Sequence, residues 1–309
     1  MSVGGGVSSL QARSARRPIR LSLARRRSLK GMGYAAPTAL IVTVLFLVPL
    51  ALVFWMSANR WPLLGSPTVN LPDNYTKIPD NRLFLDSVVF TLKYTAIVTV
   101  LLSGIALLLA LQTQSRRPGV GVFRTAYFLP GAVGFAAASL LFYGFYSEGG
   151  PLDTLLMDLG IVDEPVAWLG TPNAALFSTI AMVIWRFAGF NMLILLTGLQ
   201  AIPTDVYEAA RSDGASRWQT FRYITVPLLR PTIALMLVLS ITGSLLAFDQ
   251  FFILTRGGPD NSTVSMVMVI YREAFTRFDL GSAAAISVLL LLVLVALNVL
   301  QLRILGRER

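Results

Sequence analysis

Apolar residues in this chain gather into six long runs, at about 34 to 56, 88 to 111, 122 to 146, 174 to 200, 228 to 254 and 280 to 302. A helix of ~20 residues crosses a ~30 Å hydrocarbon layer and satisfies its own backbone hydrogen bonds where water is absent. The pattern therefore predicts an all-α integral membrane protein with six transmembrane helices. The first run follows a basic stretch, Arg13 to Lys30, as a secretory leader would. It is longer than the ~7 to 15 residues of a leader's apolar core, and no small-residue cleavage pattern closes it, so it reads as a retained anchor. The chain divides into a basic tail 1–33, a membrane domain 34–302 and a short tail 303–309.

Composition agrees with that class. The 309 residues are 55% hydrophobic and 14% charged, with a mean hydropathy of +0.66, more apolar surface than one soluble core needs. Charge then sets orientation. With the N-terminus in the cytoplasm, the inner segments hold 18 of the 26 Lys and Arg residues and the outer loops hold 6. Lys93 and Arg186 lie within spans, Lys93 as a residue snorkelling toward the outer interface. This is the positive-inside bias, and the outer loop 147–173 adds five acids and no base. Both termini are expected in the cytoplasm. The tail's eight basic residues suit anionic lipid headgroups rather than nucleic acid.

One inner segment has a grammar of its own. In 203–227, Pro203 with Thr204 or Asp205 starts a short helix carrying Glu208, Ala209 and Ala210, and Gly214 suits the left-handed position that ends it. Ser216 with Gln219 matches a capping box, so a second helix begins there, and Pro227 marks the start of the fifth span. The small residues give the first helix a smooth face that another protein can approach, with Glu208 as a lone polar anchor.

The pattern Glu208-Ala209-Ala210, Gly214, Ile224-x-Val226-Pro227 resembles the cytoplasmic signature loop of the inner-membrane permeases of bacterial ABC importers, with Val226 where the family commonly has Leu. Leu254-Thr255-Arg256-Gly257-Gly258-Pro259 with Thr263, then Ile270-Tyr271-Arg272-Glu273-Ala274-Phe275 and Gly281-Ser282-Ala283-Ala284-Ala285, are similar to the carbohydrate branch, in particular the maltose-type first permease subunit. The resemblance runs from the first span to the C-terminus. It implies that the loop is a coupling helix between the fourth and fifth spans, seated on a cytoplasmic ATPase, with Glu208, Ala209, Ala210, Gly214, Ile224 and Pro227 as its coupling residues. The implied partners are a second permease subunit, two ATPase subunits that bind ATP and Mg, and an extracytoplasmic binding protein. No phosphate-binding G-x-x-x-x-G-K-[ST] loop occurs in the chain, so no cofactor is expected in it and ATP hydrolysis falls to the separate ATPase.

Polar residues inside spans are costly and face a bundle interior or a watery path. The fourth span carries Arg186, Phe190 and Asn191, and the fifth Ser240, Ser244, Phe248 and Asp249, followed by Gln250. Arg186 and Phe190 share one face, as do Ser240, Ser244 and Phe248. These residues are candidates for the path of a sugar or a polyol, phosphorylated or not. A packing role for the serines and an Arg186–Asp249 pair stand beside that reading. Gly257-Gly258-Pro259 reads as an outward turn, either a connector or a contact, and the loop 147–173 as a docking surface for the binding protein.

Two other classes compete with a permease. A stand-alone secondary transporter would use Asp249 as its ion site and leave the loop 203–227 without a role. A membrane-embedded enzyme is argued against by the absence of Cys and His, which also removes thiolate and imidazole metal sites and His-based triads.

Overall fold

The computed structural model describes residues 32–115 and 117–306, with side chains to Arg303. Most of the basic tail, and residues 307–309, lie outside the described residues. Residues to Leu52 and those from Val53 onward form two compact units; the contacts below all lie within the second.

Five helices are long and apolar enough to span a membrane. They are α1 (Met32–Ser57), α2 (Arg82–Thr113), α6 (Pro172–Ala201), α8 (Arg217–Leu245) and α10 (Leu280–Gly306). The third expected span, 122–146, is two helices, α3 (Val120–Phe128) and α4 (Phe135–Phe145), bent by 94° and counting as a sixth span only if taken together. A 3-10 turn, Leu129–Ala132, separates them. The cause is local: Pro130 has no N–H to give, Gly131 and Gly134 favour the helix least, and Val133 turns extended at ψ 129°. Short helices α5 (Pro151–Asp158), α7 (Thr204–Ser212) and α9 (Met266–Phe275) lie in the connecting segments. A two-stranded antiparallel ribbon, β1 (Asn59–Arg60) with β2 (Thr68–Val69), pairs Asn59 with Val69.

Side-chain caps start the helices where the backbone donors would otherwise be orphaned. Asn81 accepts from the Phe84 N–H, Thr171 from Ala174 and Ser265 from Met268. Arg124 closes the other end of α2, donating to the carbonyls of Thr113 and Ser115.

The fifth span departs from the sequence expectation at both ends. Its helix begins at Arg217, well before residue 228, because a π turn at Phe221–Thr225 precedes Pro227. In that turn the Val226 N–H reaches back five residues to Phe221, and the wider ring makes room for a proline that would crowd an ordinary helix. At its far end α8 stops at Leu245. Phe248 therefore lies beyond the helix and does not continue the Ser240–Ser244 face, and Asp249 and Gln250 belong to the next turn, which runs into a π turn at Phe251–Thr255. The last helix passes residue 302 and ends at Gly306.

α2 is the central element of the second unit, packed along α6 and crossed by α8. One apolar cluster surrounds Tyr94, Phe251, Met268 and Ile286, and a second surrounds Ala110, Met192, Leu195 and Met236. Close approach is possible because glycines sit at the crossings: at Gly198 a Cβ would run into Thr232 of α8.

Candidate functional site

Polar residues gather at two places, the loop after α6 and a cavity between α2, α6 and α8. In the loop, α7 starts after Pro203 and ends at Ser212, and Gly214 takes φ +76°. A Cβ at Gly214 would meet nothing within 4 Å, so only the backbone conformation calls for glycine there. The capping box is complete: Ser216 Oγ accepts from the Gln219 N–H, and Gln219 Oε1 accepts from the Ser216 N–H at 2.7 Å. Two helices are thus held at a fixed corner, and the second is the start of α8 itself. Only residues 213–215 separate α7 from the cap of that spanning helix.

The faces of α7 differ from the sequence expectation. Glu208 and Ala209 are exposed, but Ala210 is 6% exposed and seats α7 against its own chain, so it adds nothing to an outward face. Glu208 meets Arg211 at 3.9 Å, both side chains largely in solvent, a contact of little energetic weight. Ile224 and Pro227 are half-buried in the corner. Beside it lies a cleft of about 650 Å³, lined by Gln114, Tyr207, Arg211, Arg217 and Thr225 among others.

Within the spans, Phe190, Asn191, Ser240 and Ser244 line one cavity of about 140 Å³. Asn191 is buried; its amide donates to the Phe187 carbonyl at 3.0 Å, and its Oδ1 accepts from Ser240 Oγ at 3.3 Å. Gln250 and Tyr94 complete the polar wall, with Gln250 Nε2 donating to the Tyr94 hydroxyl at 3.2 Å. Tyr94 does not stand out in the sequence, because the adjacent Lys93 and the threonines around it carry the run's polar signal. Its heptad-like neighbours Thr91, Val98 and Leu102 on the same buried face of α2 were the available clue.

Arg186, Phe248 and Asp249 do not line this cavity. The Arg186 guanidinium lies 4.5 Å from the Phe135 ring centroid and 4.4 Å from that of Phe187, and its Nε donates to the Val133 carbonyl at 2.9 Å. Val133 sits in the break between α3 and α4. No ion pair within 4.0 Å joins Arg186 to Asp249 among the described residues, although the Asp249 charge acts on it from farther away. Phe248 instead stacks on Phe252 at 5.0 Å.

After the fifth span, Gly257-Gly258-Pro259 forms a turn held by side chains. Thr255 and Thr263 hydroxyls meet at 2.7 Å, Thr263 donates to the Gly258 carbonyl at 2.7 Å, and Arg272 donates to the Arg256 carbonyl at 3.2 Å. In the acidic loop, Asp153 is fully buried, accepting from the N–H groups of Gly149 and Val166 and from Trp168 Nε1 at 2.7 Å. Burial alone would favour its neutral form; the three donors outweigh it and hold the carboxyl below its ordinary range. No group of three or more metal-ligating side chains occurs among the described residues.

Residues 32–308 match the family described as binding-protein-dependent transport system inner membrane component. The chain is 32% identical to the lactose transport system permease protein LacF of Rhizobium radiobacter, over 91% of this chain and 96% of that protein. It is 33% identical to the trehalose/maltose transport system permease protein MalF of Thermococcus litoralis, over 88% and 92% of the two chains. Its fold is similar to a chain in the crystal structure of a bacterial ABC transporter involved in the import of the acidic polysaccharide alginate, with a TM-score of 0.81, 22% identity, and 94% and 99% of the two chains covered.

Proposed function

Because the chain belongs to the family of binding-protein-dependent transport system inner membrane components, we propose that it is the permease subunit of an ATP-driven importer that carries a carbohydrate or related polyol across the cytoplasmic membrane. The sugar assignment is supported by the named substrates of the relatives, lactose and trehalose or maltose. The observation that carries the mechanism is the corner at Gly214, where an exposed short helix runs through a capping box into a spanning helix. Such a corner converts displacement of α7 by a separate ATPase into movement of α8. Glu208 and Ala209 present the contact face, Ala210 and Gly214 hold its geometry, and Ile224 and Pro227 join it to the span.

The chain supplies no phosphate loop, so ATP and Mg belong to two partner ATPase subunits. A second permease subunit completes the path, and an extracytoplasmic binding protein delivers substrate to the outer face. The N- and C-termini and the loop 203–227 then face the cytoplasm. Substrate passes the wall of Phe190, Asn191, Ser240 and Ser244, where ring and hydroxyl or amide groups match the two faces of a sugar. Asp249 is exposed and outside the cavity, which removes the enclosed carboxylate that a stand-alone transporter would require.

The test is reconstitution of the full complex in vesicles, with sugar uptake measured with ATP inside and with a proton gradient alone. Uptake that needs ATP and is abolished by Glu208→Lys supports the reading. Gradient-driven uptake without ATPase subunits overturns it.

A further inference from the structure

The outer side of the second unit carries a cleft of about 480 Å³ that neither the loop nor the inner cavity explains. Its volume is that of a small-molecule site, ~300 to 1,000 Å³. Tyr143 of α4, Phe252 of the π turn and Tyr271 of α9 give it three rings, and Arg256 and Arg272 give it two guanidinium groups. No acidic side chain lines it. A second cleft of about 530 Å³ adjoins it and shares Tyr143 and Arg256.

The charges here are uncompensated. Arg272 is held by neutral acceptors, Asn261 Oδ1 at 2.7 Å and the Arg256 carbonyl. The nearby buried carboxylate, Glu273, is taken by Arg277 at 2.7 Å. Burial, with the positive charge of Arg277 adding to it, pushes the Arg272 pKa below its ordinary value, as befits a cation short of anions. The Arg256 side chain makes no hydrogen bond or ion pair among the described residues, and neither Glu148, which lines the adjoining cleft, nor Asp260 on the turn pairs with it. Arg256 is held at φ +50° by the turn that Arg272 locks, so its side chain departs from a fixed point.

The rings form a connected series. Phe275 packs on Tyr271 at 5.1 Å, Tyr271 on Phe252 at 4.9 Å, and Phe252 on Phe248 at 5.0 Å. Phe275 is 65% exposed, and Phe248 lies in the break after α8, two residues before the cavity residue Gln250. The series runs from the exposed Phe275 to the break after α8. Stacked ring faces bind the C–H faces of a pyranose without choosing its hydroxyl pattern, and a free guanidinium beside them accepts a carboxylate through two parallel hydrogen bonds.

We propose that this cleft is an outer subsite for a sugar residue bearing a carboxylate, a uronate, with Arg256 as its cation and Tyr143, Phe252 and Tyr271 as its platforms. The proposal rests on the carbohydrate-permease reading and narrows its substrate class. Arg272 is a positioning residue: it fixes the turn and adds field.

The probes are a disaccharide ending in glucuronate and its neutral counterpart ending in glucose, titrated onto the full chain in lipid nanodiscs and followed by saturation-transfer NMR. The wild type should bind the uronate about tenfold more tightly, Arg256→Gln should bring the ratio to about one, and Arg256→Lys should restore part of it. Equal binding of both sugars by the wild type, or a preference that survives Arg256→Gln, overturns the subsite. Uptake by the assembled importer separates the two levels of the argument. ATP-driven uptake of the neutral sugar with no uronate preference sinks the subsite and leaves the permease reading standing; no ATP-driven uptake of either sugar sinks both.

Discussion

Arg186 donates from Nε to the carbonyl of Val133 at 2.9 Å, tying the middle of α6 to the break between α3 and α4. The guanidinium lies over the adjoining rings of Phe135 and Phe187, so one side chain of α6 contacts both the break and the start of α4. A charge inside a membrane domain needs a partner, and here a carbonyl with unspent lone pairs and two ring faces serve in place of a carboxylate. This makes Arg186 a brace for the bent pair.

Arg186→Ala should therefore cost about 2 kcal/mol or more from the lost hydrogen bond and ring contacts. The detergent-solubilised chain should show a lower unfolding midpoint. Asp249→Asn should shift that midpoint little, and Arg186→Gln with Asp249→Asn should be no more stable than Arg186→Gln alone. Recovery by the double variant would restore the ion-pair reading.

The same bend depends on Gly189, where a Cβ would run into the Tyr127 carbonyl. Gly189→Ala should destabilise by about 1 to 3 kcal/mol, because backbone on the α3 side cannot yield as a side-chain tip can. Gly104, with nothing within 4 Å, is the control: Gly104→Ala should leave the midpoint unchanged or raise it. Equal effects at the two glycines would refute the close approach.

How much of this was legible in the sequence depends on the kind of signal. Hydrophobic runs located five spanning helices to within a few residues at most ends, because burial in lipid acts on every residue of the run. Breaks were less visible. Pro130, Gly131 and Gly134 announced the bend, yet the run remained apolar across it and was read as one span. Conversely Pro227 looked like a boundary, but a π turn absorbed it, and the helix runs on from Arg217. Four of the path candidates, Phe190, Asn191, Ser240 and Ser244, line one cavity, and helical spacing had put only Ser240 and Ser244 together on one face. Phe248 and Asp249 lie outside that cavity, and the helix that would have kept Phe248 on the Ser240–Ser244 face stops at Leu245. Arg186 lies outside it for another reason: charge alone shows that a partner is needed, and a backbone carbonyl leaves no mark in sequence.

The acidic loop 147–173 should respond to pH through Asp153. Its carboxyl is held below the ordinary range, so the loop's stabilisation is fully present above the unfolded-state pKa of ~3.9 and is lost as pH falls through the lower folded value. Trp168 fluorescence, read in a variant whose other four tryptophans are Phe, should hold steady from neutral pH down to about 4 and change only below that. Asp153→Asn, which places an amide where three donors converge, should give the acid-state spectrum at neutral pH. An unchanged spectrum in that variant would dismiss the carboxylate as the loop's organiser.

At the corner, Ser216→Ala removes the acceptor for the Gln219 N–H and should cost about 0.5 to 2 kcal/mol locally. Gly214→Val should add the strain of a branched side chain at φ +76°. Both variants should still insert, because the spans are untouched. In the reconstituted complex both should lower sugar-stimulated ATP hydrolysis relative to basal hydrolysis, and Gly214→Asn, which tolerates the left-handed region, should recover most of it. A coupling ratio insensitive to all three would mean that the corner transmits nothing.

The inner cavity offers a sharper choice between packing and passage. Ser240 donates to Asn191 Oδ1 at 3.3 Å across the α6–α8 contact, a bond that would serve helix association as well as it would serve a substrate hydroxyl. Asn191→Leu removes the polar group and replaces it with one of similar size, a change that is close to neutral for stability when the partner is also removed, as in Asn191→Leu with Ser240→Ala. If the pair only packs helices, this double variant should transport like the wild type. If the pair handles substrate, the double variant should remain as stable as the wild type while the KM for uptake rises roughly fivefold per hydrogen bond lost, about 1 kcal/mol each. Uptake at saturating sugar, measured with ATP hydrolysis in the same vesicles, separates the two: a stable, ATP-hydrolysing variant with raised KM places sugar at Asn191, and an unchanged KM removes it from there.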